Sequence, residues 1–239
     1  MAYQAIFKRY EIKYMMTRQQ KALLLKAMAP YMALDQFGRT TICNLYFDTD
    51  SYRLIRRSIE KPAYKEKLRV RSYGTATKDS PVFVELKKKY EDVVYKRRIS
   101  LPEQEAVQWL SGREALENPS QISEEIDYVR GYYDGLKPVV FLSYEREAYY
   151  SKDGSDFRVT FDENILSRQT NLSLREGAWG TPLLDDGMVL MELKTPGGIP
   201  LWMTRFLTAQ HIYKTSFSKY GTAYANLIYP NHEGVRKYA

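Results

Sequence analysis

The alternation of apolar and polar residues along the chain predicts eight β-strands. The alternating segments cover residues 7–14, 42–48, 65–72, 82–89, 93–99, 139–149, 156–163 and 188–195. Turn-forming residues separate several of them, and the tripeptide YED between the fourth and fifth is short enough for a hairpin. Because several strands follow one another without an intervening helix, the pattern favours an antiparallel sheet over a doubly wound parallel one.

Helical patterns are fewer and lie near the chain ends and between strands. Thr17 is suited to cap a helix that runs to about Met32, because Leu24 and Met28 recur at helical spacing. Further candidates cover residues 102–110, 123–133, 200–207 and 218–228. The whole pattern predicts an α+β protein, mainly antiparallel β. No Pro/Gly/Ser-rich linker divides the chain, so we expect a single domain over residues 1–229 and a tail at 230–239.

The polar face of nearly every predicted strand is strongly basic. Side chains two positions apart point to the same side of a strand. In the third strand Lys67, Arg69 and Arg71 therefore share one face, and Leu68 and Val70 share the other. The polar faces of the other strands carry Glu11 and Lys13, Glu85 and Lys87, Lys96 and Arg98, Tyr144 and Arg146, Arg158 and Asp162, and Glu192 and Lys194.

These basic faces predict an eight-stranded closed barrel with a basic interior. A polar face in water normally carries mixed charges, whereas these strand centres are rich in Arg and Lys. We therefore expect the charged faces to point inward and helices to cover the apolar faces outside. Because like charges repel, such an interior favours a bound polyanion. Arg and Lys suit phosphate, and glutamates among them suit Mg²⁺ or Mn²⁺.

Composition excludes several classes of protein. Lys and Arg number 36 against 29 Asp and Glu, which gives a formal net charge of +7. No apolar run approaches the roughly 20 residues of a membrane span, and the first residues are not typical of a secretory signal. The one cysteine, Cys43, and the two histidines, His211 and His232, exclude an internal disulfide framework and a Cys- or His-rich metal site. The expected location is cytoplasmic.

An ordered set of short strings resembles the VTC domain family, the polyphosphate polymerase branch of the triphosphate tunnel metalloenzymes. The strings are RYEIKY, NLYFDT, KLRVRSYG, VFVELKKKY, SYEREAYY, FRVTFDENI, LMELK and FSKYG, and they extend over about residues 7–224. The resemblance implies an eight-stranded antiparallel tunnel with basic walls. This fold agrees with the barrel expected from the strand faces.

The resemblance also implies a reaction and its residues. The reaction is transfer of the ATP γ-phosphate to a growing polyphosphate chain, with Mn²⁺ or Mg²⁺ as cofactor. By motif, the catalytic positions are Lys13, Arg69, Arg71, Lys87, Arg146, Arg158 and Lys219, and Glu192 matches the metal-binding glutamate. The expected substrate-binding positions are Glu11, Lys67, Lys96, Arg98, Tyr144, Lys194, Lys214 and Ser218. The family's eukaryotic members couple synthesis to membrane translocation, so a membrane partner is compatible with the resemblance.

The sequence departs from the family pattern at two places. The family often has a lysine two positions before Ser218, where this chain has Ser216, and Lys214 lies nearby. Of the ExExK signature of the wider superfamily only Glu11 remains, because Arg9 occupies the other acidic position. The first departure leaves open whether Lys214 or Lys219 reaches the phosphates. The second favours the VTC branch over the tunnel triphosphatases.

Three functions remain open at this point: a polyphosphate polymerase, a triphosphatase in which water is the acceptor, and a non-catalytic polyphosphate-binding module. Nucleic acid is not expected, because the tyrosines lie mostly on the apolar faces and form no stacking platform. Asp162 is placed to bind a metal or to hold an arginine, and the second interpretation is favoured. Arg97, Glu145 and Glu147 are expected on outer faces. The preferred nucleotide and the oligomeric state are left open.

Overall fold

The computed structural model describes residues 10–91 and 93–230, which form an α+β structure dominated by antiparallel strands. The strands are β1 (Tyr10–Thr17), β2 (Met32–Leu34), β3 (Thr40–Asp48), β4 (Tyr64–Tyr73), β5 (Pro81–Tyr90), β6 (Val93–Pro102), β7 (Lys137–Ser151), β8 (Arg158–Arg168), β9 (Thr181–Pro182), β10 (Met188–Thr195) and β11 (Lys214–Thr215). The helices are α1 (Arg18–Met28), α2 (Arg53–Ile59), α3 (Glu103–Leu110), α4 (Gln121–Tyr132), α5 (Leu201–Ala209) and α6 (Lys219–Ala223). A 3₁₀ turn covers Leu174–Glu176, and a π-helical turn, Tyr224–Ile228, follows α6.

The eight predicted strands correspond to β1, β3–β8 and β10, although residues 7–9 of the first lie outside the described residues. Three short strands, β2, β9 and β11, were not predicted. The sheet order is β11-β1-β10-β8-β7-β3-β4-β5-β6, with β2 on β7 and β9 on β8.

The prediction of a closed eight-stranded barrel is wrong. The sheet has eleven strands, and among the described residues its two edge strands, β11 and β6, are not hydrogen-bonded to each other. The physical reason is that side-chain alternation determines which residues share a face of a strand. It does not determine whether the edges of the sheet meet, which depends on strand tilt and register.

The described residues divide into two compact units, each with its own apolar core. Unit 1 contains residues 10–41, 144–165 and 184–217, and unit 2 contains residues 42–91, 93–143, 166–183 and 218–230. The expected single domain over residues 1–229 stays a prediction. Residues 231–239 of the predicted tail lie outside the described part of the chain.

In unit 2, helices α3 and α4 cover the apolar faces of β3, β4 and β5. Leu68 and Val70 of β4 are fully buried, and they share a core with Trp109 of α3 and Ile126 of α4. Helix α4 begins after a capping box in which the side chain of Ser120 accepts a hydrogen bond from the backbone N–H of Ser123. The expectation that helices cover the apolar strand faces is confirmed in this unit.

In unit 1, helices α1 and α5 cover the apolar faces of β1, β8 and β10 in the same way. Met16, Phe161 and Met191 of the strands are buried in one core with Leu24 of α1 and Met203 of α5. Thr17 caps α1 as predicted. The helix ends at Met28 rather than near Met32, because Met32–Leu34 forms β2 and pairs with β7.

Helix α2 was not predicted, and its start depends on one buried carboxylate. Asp48, at the end of β3, accepts hydrogen bonds from the backbone N–H groups of Leu54 at 2.9 Å and Ile55 at 3.0 Å. The hydroxyl of Tyr220 in α6 also donates to Asp48, at 2.9 Å. Burial raises the pKa of Asp48, and these three donors act in the opposite direction. The seven residues of α2 are too few to show a clear periodic pattern.

Candidate functional site

The charged face of unit 2 is formed by adjacent rows of side chains on β4, β5 and β6. Arg69 lies opposite Glu85, which lies opposite Arg98 on the next strand. Lys67, Lys87 and Lys96 form the neighbouring row in the same order. Directly opposed like charges destabilise a sheet. The row places three positive charges side by side, an arrangement that is suited to an anion.

Glu85 is at the centre of this face and is surrounded by four cationic side chains. Its carboxylate lies 2.7 Å from Arg69 Nη2, 2.7 Å from Lys96 Nζ, 3.8 Å from Arg71 Nη2 and 3.9 Å from Arg98 Nε. Only 1% of Glu85 is exposed. One carboxylate against four cations leaves a surplus of three positive charges in this cluster, which we call the Glu85 cluster.

The pKa shifts follow from this surplus. Burial alone would raise the pKa of Glu85, but Arg69, Arg71 and Lys96 outweigh it and lower that pKa to about 2. Burial lowers the pKa of Lys96, and the adjacent arginines add to this effect while Glu85 opposes it. On the same face of β4, burial and three neighbouring lysines lower the pKa of Lys65. An anion bound here would relieve each of the two lysine shifts.

Two buried side chains of β3 orient the arginines. Arg71 Nε donates to Asn44 Oδ1 at 3.0 Å, and Arg69 Nη1 donates to the hydroxyl oxygen of Tyr46 at 2.9 Å. Asn44 is itself fixed by donating from Nδ2 to the carbonyl oxygen of Leu142 at 3.2 Å. The sequence analysis missed these residues. The signal was present in NLYFD, where Asn, Tyr and Asp occupy alternate positions of one strand.

The start of α6 also contacts the charged face of unit 2. Lys67 Nζ donates to Ser218 Oγ at 3.1 Å, and Ser218 Oγ accepts from the N–H of Gly221 at 3.2 Å, which caps the helix. A Cβ at Gly221 would come within 3.2 Å of Ser218 Cβ and Oγ, so a small residue favours this close approach. The predicted residues Lys67 and Ser218 are therefore brought together, and the partly exposed Lys219 follows directly.

Unit 1 carries a separate charged face on β1, β10 and β8. Lys13 lies opposite Glu192, which lies opposite Thr160. The Glu192 carboxylate is 3.3 Å from Lys194 Nζ and 4.0 Å from Lys13 Nζ, and Lys13 also donates to the carbonyl oxygen of Phe217 at 2.6 Å. In the adjoining row, Lys194 lies between the predicted residues Glu11 and Arg158, both of which are exposed.

Asp162 binds an arginine, as the favoured interpretation predicts. Arg146 Nε and Nη2 donate to its two carboxylate oxygens at 2.6 and 2.7 Å, a bidentate pair. The Arg146 guanidinium also lies 5.1 Å from the ring centre of Tyr144.

On the opposite face of these strands, Lys21 and Arg39 pair with Glu147, and Arg39 also pairs with Glu145. Arg97 pairs with Glu125 of α4 in unit 2, on the helix-covered side.

The register of β11 argues against Lys214 as a phosphate ligand. Lys214 pairs with Tyr14, whereas Thr215 pairs with Lys13. Paired residues of antiparallel strands extend to the same side. The side chain of Lys214 therefore shares the face of Tyr14, which belongs to the apolar core, and not the face of Lys13. Lys214 was expected as a substrate-binding residue because it lies near the position of the family lysine, and the family motif does not show which face of β11 it occupies.

On the unit 1 face, Glu192 is the residue that could hold a metal ion. Within residues 10–91 and 93–230, no group of three or more His, Cys, Asp or Glu side chains is arranged to hold a metal ion. Glu192 nevertheless offers a carboxylate, and the buried Thr160 hydroxyl opposite it has no hydrogen-bond partner among these residues. Mg²⁺ is commonly held by one or two carboxylates together with substrate phosphates and waters.

Comparisons with solved structures concern the fold. A candidate adenylate cyclase from Bacillus halodurans is 15% identical, with a TM-score of 0.55 over 90% of this chain and 96% of its own. A candidate adenylyl cyclase from Hippeastrum, described as having a dominant triphosphatase activity, is 19% identical, with a TM-score of 0.55 over 88% of this chain and 92% of its own. Both share the fold.

No match was found among curated proteins. No helix within the described residues has the length and apolar character needed to cross a membrane. The VTC domain model matches residues 8–228, which is nearly the whole sequence. The chain therefore belongs to the VTC domain family.

Proposed function

We propose that this chain is a metal-dependent polyphosphate polymerase that transfers the γ-phosphate of ATP to a growing polyphosphate chain. The observation that carries the proposal is the Glu85 cluster, in which four cations surround one buried carboxylate. A surplus of three positive charges on one face is matched by a ligand with several adjacent negative charges. Membership of the VTC domain family supports the same substrate class.

The length of the basic face favours a chain of phosphates as ligand. Along β4 the charged side chains run from Arg71 to Lys65, and Lys87 and Lys89 accompany them on β5. The six steps from Lys65 to Arg71 span about 20 Å at roughly 3.3 Å per residue. Positive charge spread evenly over such a length suits a polymer with one charge per repeating unit.

The protein residues would act mainly by positioning and by neutralising charge. Phosphoryl transfer requires little covalent participation by the protein. In the proposed reaction, a terminal oxygen of polyphosphate attacks the γ-phosphorus, the bond to the bridging oxygen breaks, and ADP leaves. Arg69 and Arg71, oriented by Tyr46 and Asn44, would stabilise the charge on the transferred group.

On the charged face of unit 1, Lys13, Arg146 and Arg158 are the proposed phosphate ligands. Asp162 holds the Arg146 guanidinium in one orientation, which lowers the cost of ordering it on binding. A bound Mg²⁺ or Mn²⁺ would neutralise phosphate charge, and Glu192 is the residue that would hold it. The two lysines beside Glu192 would then pair with phosphate oxygens.

The proposal is tested by replacing Arg69 and Arg71 with glutamine. We expect the double variant to retain its fold and to lose at least about 100-fold in turnover of ATP with Mn²⁺, because two charged donors to the transferred group are removed. The matched control replaces two exposed arginines, Arg113 and Arg205, with glutamine and should keep full turnover. Equal activity in both variants would show that the Glu85 cluster is not the site of the reaction.

A further inference from the structure

Alternate residues of β3 support the basic face of unit 2. The first two, Asn44 and Tyr46, each accept a hydrogen bond from an arginine of β4. Asp48 is the next residue on the same side of the strand and is completely buried. One of its donors is the hydroxyl of Tyr220 in α6, at 2.9 Å. The third residue of this row therefore holds a helix rather than an arginine.

Among the described residues Asp48 accepts four hydrogen bonds, and the one from Tyr220 is long-range. The other three donors are the backbone N–H groups of Thr49, Leu54 and Ile55, within seven positions of Asp48. Tyr220 lies 172 positions away along the chain. The backbone donors order the start of α2, whereas the hydroxyl ties α6 to the end of β3. Because a buried hydroxyl without a partner is costly, this bond determines where α6 packs.

The ring of Tyr220 packs against a residue that orients the Glu85 cluster. Tyr220 is only 2% exposed, and its ring centre lies 4.8 Å from that of Tyr46. Tyr46 accepts the hydrogen bond from Arg69 Nη1, and its ring centre lies 5.7 Å from the Arg69 guanidinium carbon. A phenylalanine at position 220 would keep this ring contact and remove only the hydroxyl.

The position of α6 in turn affects the row of lysines. Ser218 and Lys219 directly precede Tyr220 in the sequence. Ser218 Oγ accepts the hydrogen bond from Lys67 Nζ at 3.1 Å. A displaced α6 would move this acceptor away from Lys67, and a ligand would then have to order the long lysine side chain at a cost in free energy.

We propose that Tyr220 is a positioning residue for the basic face of unit 2. Its hydrogen bond to Asp48 holds α6 in place, so that Ser218 orients Lys67 for a phosphate ligand. The inference rests on the proposed function, because it takes phosphate as the ligand of that face. Tyr220 acts through Lys67 and makes no contact with the ligand itself.

The test compares triphosphate binding by Tyr220→Phe and Tyr64→Phe in the full chain. The hydroxyl of Tyr64 also donates to a carboxylate, Glu66 Oε2 at 2.8 Å, but these residues share the side of β4 that helices cover. Each variant therefore loses one hydroxyl–carboxylate bond and keeps its ring. We expect Tyr220→Phe to bind triphosphate about 10-fold more weakly, because the ligand must order Lys67. Tyr64→Phe should bind like the wild type.

A double-mutant cycle with Lys67→Gln separates positioning from a general loss of stability. Binding is measured by calorimetry below the melting temperatures of all variants. If Tyr220 acts through Lys67, adding Tyr220→Phe to Lys67→Gln should weaken binding by less than about 2-fold further.

Three results would overturn the positioning role alone: wild-type affinity in Tyr220→Phe, an equal loss in Tyr64→Phe, or a full additional loss in the Lys67→Gln background. A wild type that binds no triphosphate would instead overturn the proposed function, and with it the ligand on which this inference rests.

Discussion

Glu85 is a buried carboxylate that is paired with cations, as buried charges usually are. It is almost completely buried, and it holds Arg69 and Lys96 at direct ion-pair distance. The single negative charge of Glu85 does not balance the four cations around it. Glu85 therefore orders the Glu85 cluster without neutralising its positive charge. A phosphate ligand would meet arginines that are already oriented, so less conformational entropy is lost on binding.

Replacing Glu85 with glutamine is expected to destabilise the protein by about 2–4 kcal/mol, because the four cations around it lose this buried counter-charge. Urea unfolding measures the change. Glu117→Gln, at an exposed position, is the matched control and should alter stability by less than about 0.5 kcal/mol. A loss in Glu85→Gln no larger than in the control would contradict the assigned role.

The stabilisation by Glu85 should depend on pH in a defined direction. Its pKa falls from the ordinary 4.5 to about 2 on folding, so the contribution is complete above 4.5 and is lost as pH falls toward 2. The shift corresponds to about 3 kcal/mol. We expect the stability difference between wild type and Glu85→Gln to shrink steadily below pH 4.5. A difference that is constant from pH 7 to pH 3 would rule out this shift.

At the scale of elements, adjacent residues of β5 lie on opposite sides of the sheet and have different partners. Lys87 lies in the lysine row of the charged face, whereas Lys88 is on the other side and lies 3.6 Å from Glu125 of α4. Two adjacent lysines of one strand therefore differ in environment but not in charge. They provide a matched pair for separating ligand binding from stability.

Lys87→Gln is expected to weaken triphosphate binding about 10-fold and to leave the melting temperature unchanged or slightly raised, because repulsion within the row is relieved. Lys88→Gln should bind triphosphate normally and lose the ion pair with Glu125. Calorimetry gives the affinities, and thermal unfolding gives the stabilities. Similar affinities in the two variants would mean that the row does not bind phosphate.

Alternation along the strands made most of the sheet predictable. In β4, for example, the apolar residues Leu68 and Val70 alternate with three basic residues, Lys67, Arg69 and Arg71. This two-residue period can be seen directly in the sequence. The short elements were not predictable in this way. Helix α2 depends on Asp48, whose hydrogen bonds to Leu54 and Ile55 span six and seven positions, and two-residue strands such as β11 show no period. The closure of the sheet into a barrel was mispredicted because it depends on whether the two edge strands pair with each other.

The candidate site was predictable in its residue types and less so in its pairings. The family motifs and the strand faces both selected Arg69, Arg71 and Arg146. The sequence did not indicate that Glu85 would be shared by four cations, because that requires three neighbouring strands in a particular register. Asn44 and Tyr46 were missed because neutral side chains do not stand out in a search for charge.

At the scale of the whole molecule, the chain carries a formal net charge of +7. In both units, helices cover the apolar side of the strands, and the opposite side carries charged side chains around a buried acidic residue, Glu85 in one and Glu192 in the other. Arg146→Gln and Arg69→Gln are each expected to reduce turnover of ATP with Mn²⁺, because each removes a charged donor from the charged face of its own unit.

The most direct test of the account is an analysis of the products formed from ATP by the purified chain with Mn²⁺ or Mg²⁺. Gel electrophoresis with polyphosphate staining, together with assays for ADP and free phosphate, measures where each transferred phosphate goes. The account predicts a ladder of long chains that contains most of the phosphate released from ATP and disappears in Glu192→Gln. Free phosphate in amounts equal to ADP, without chains, would contradict polymerase activity and indicate hydrolysis. Tight polyphosphate binding without turnover would contradict any catalytic role.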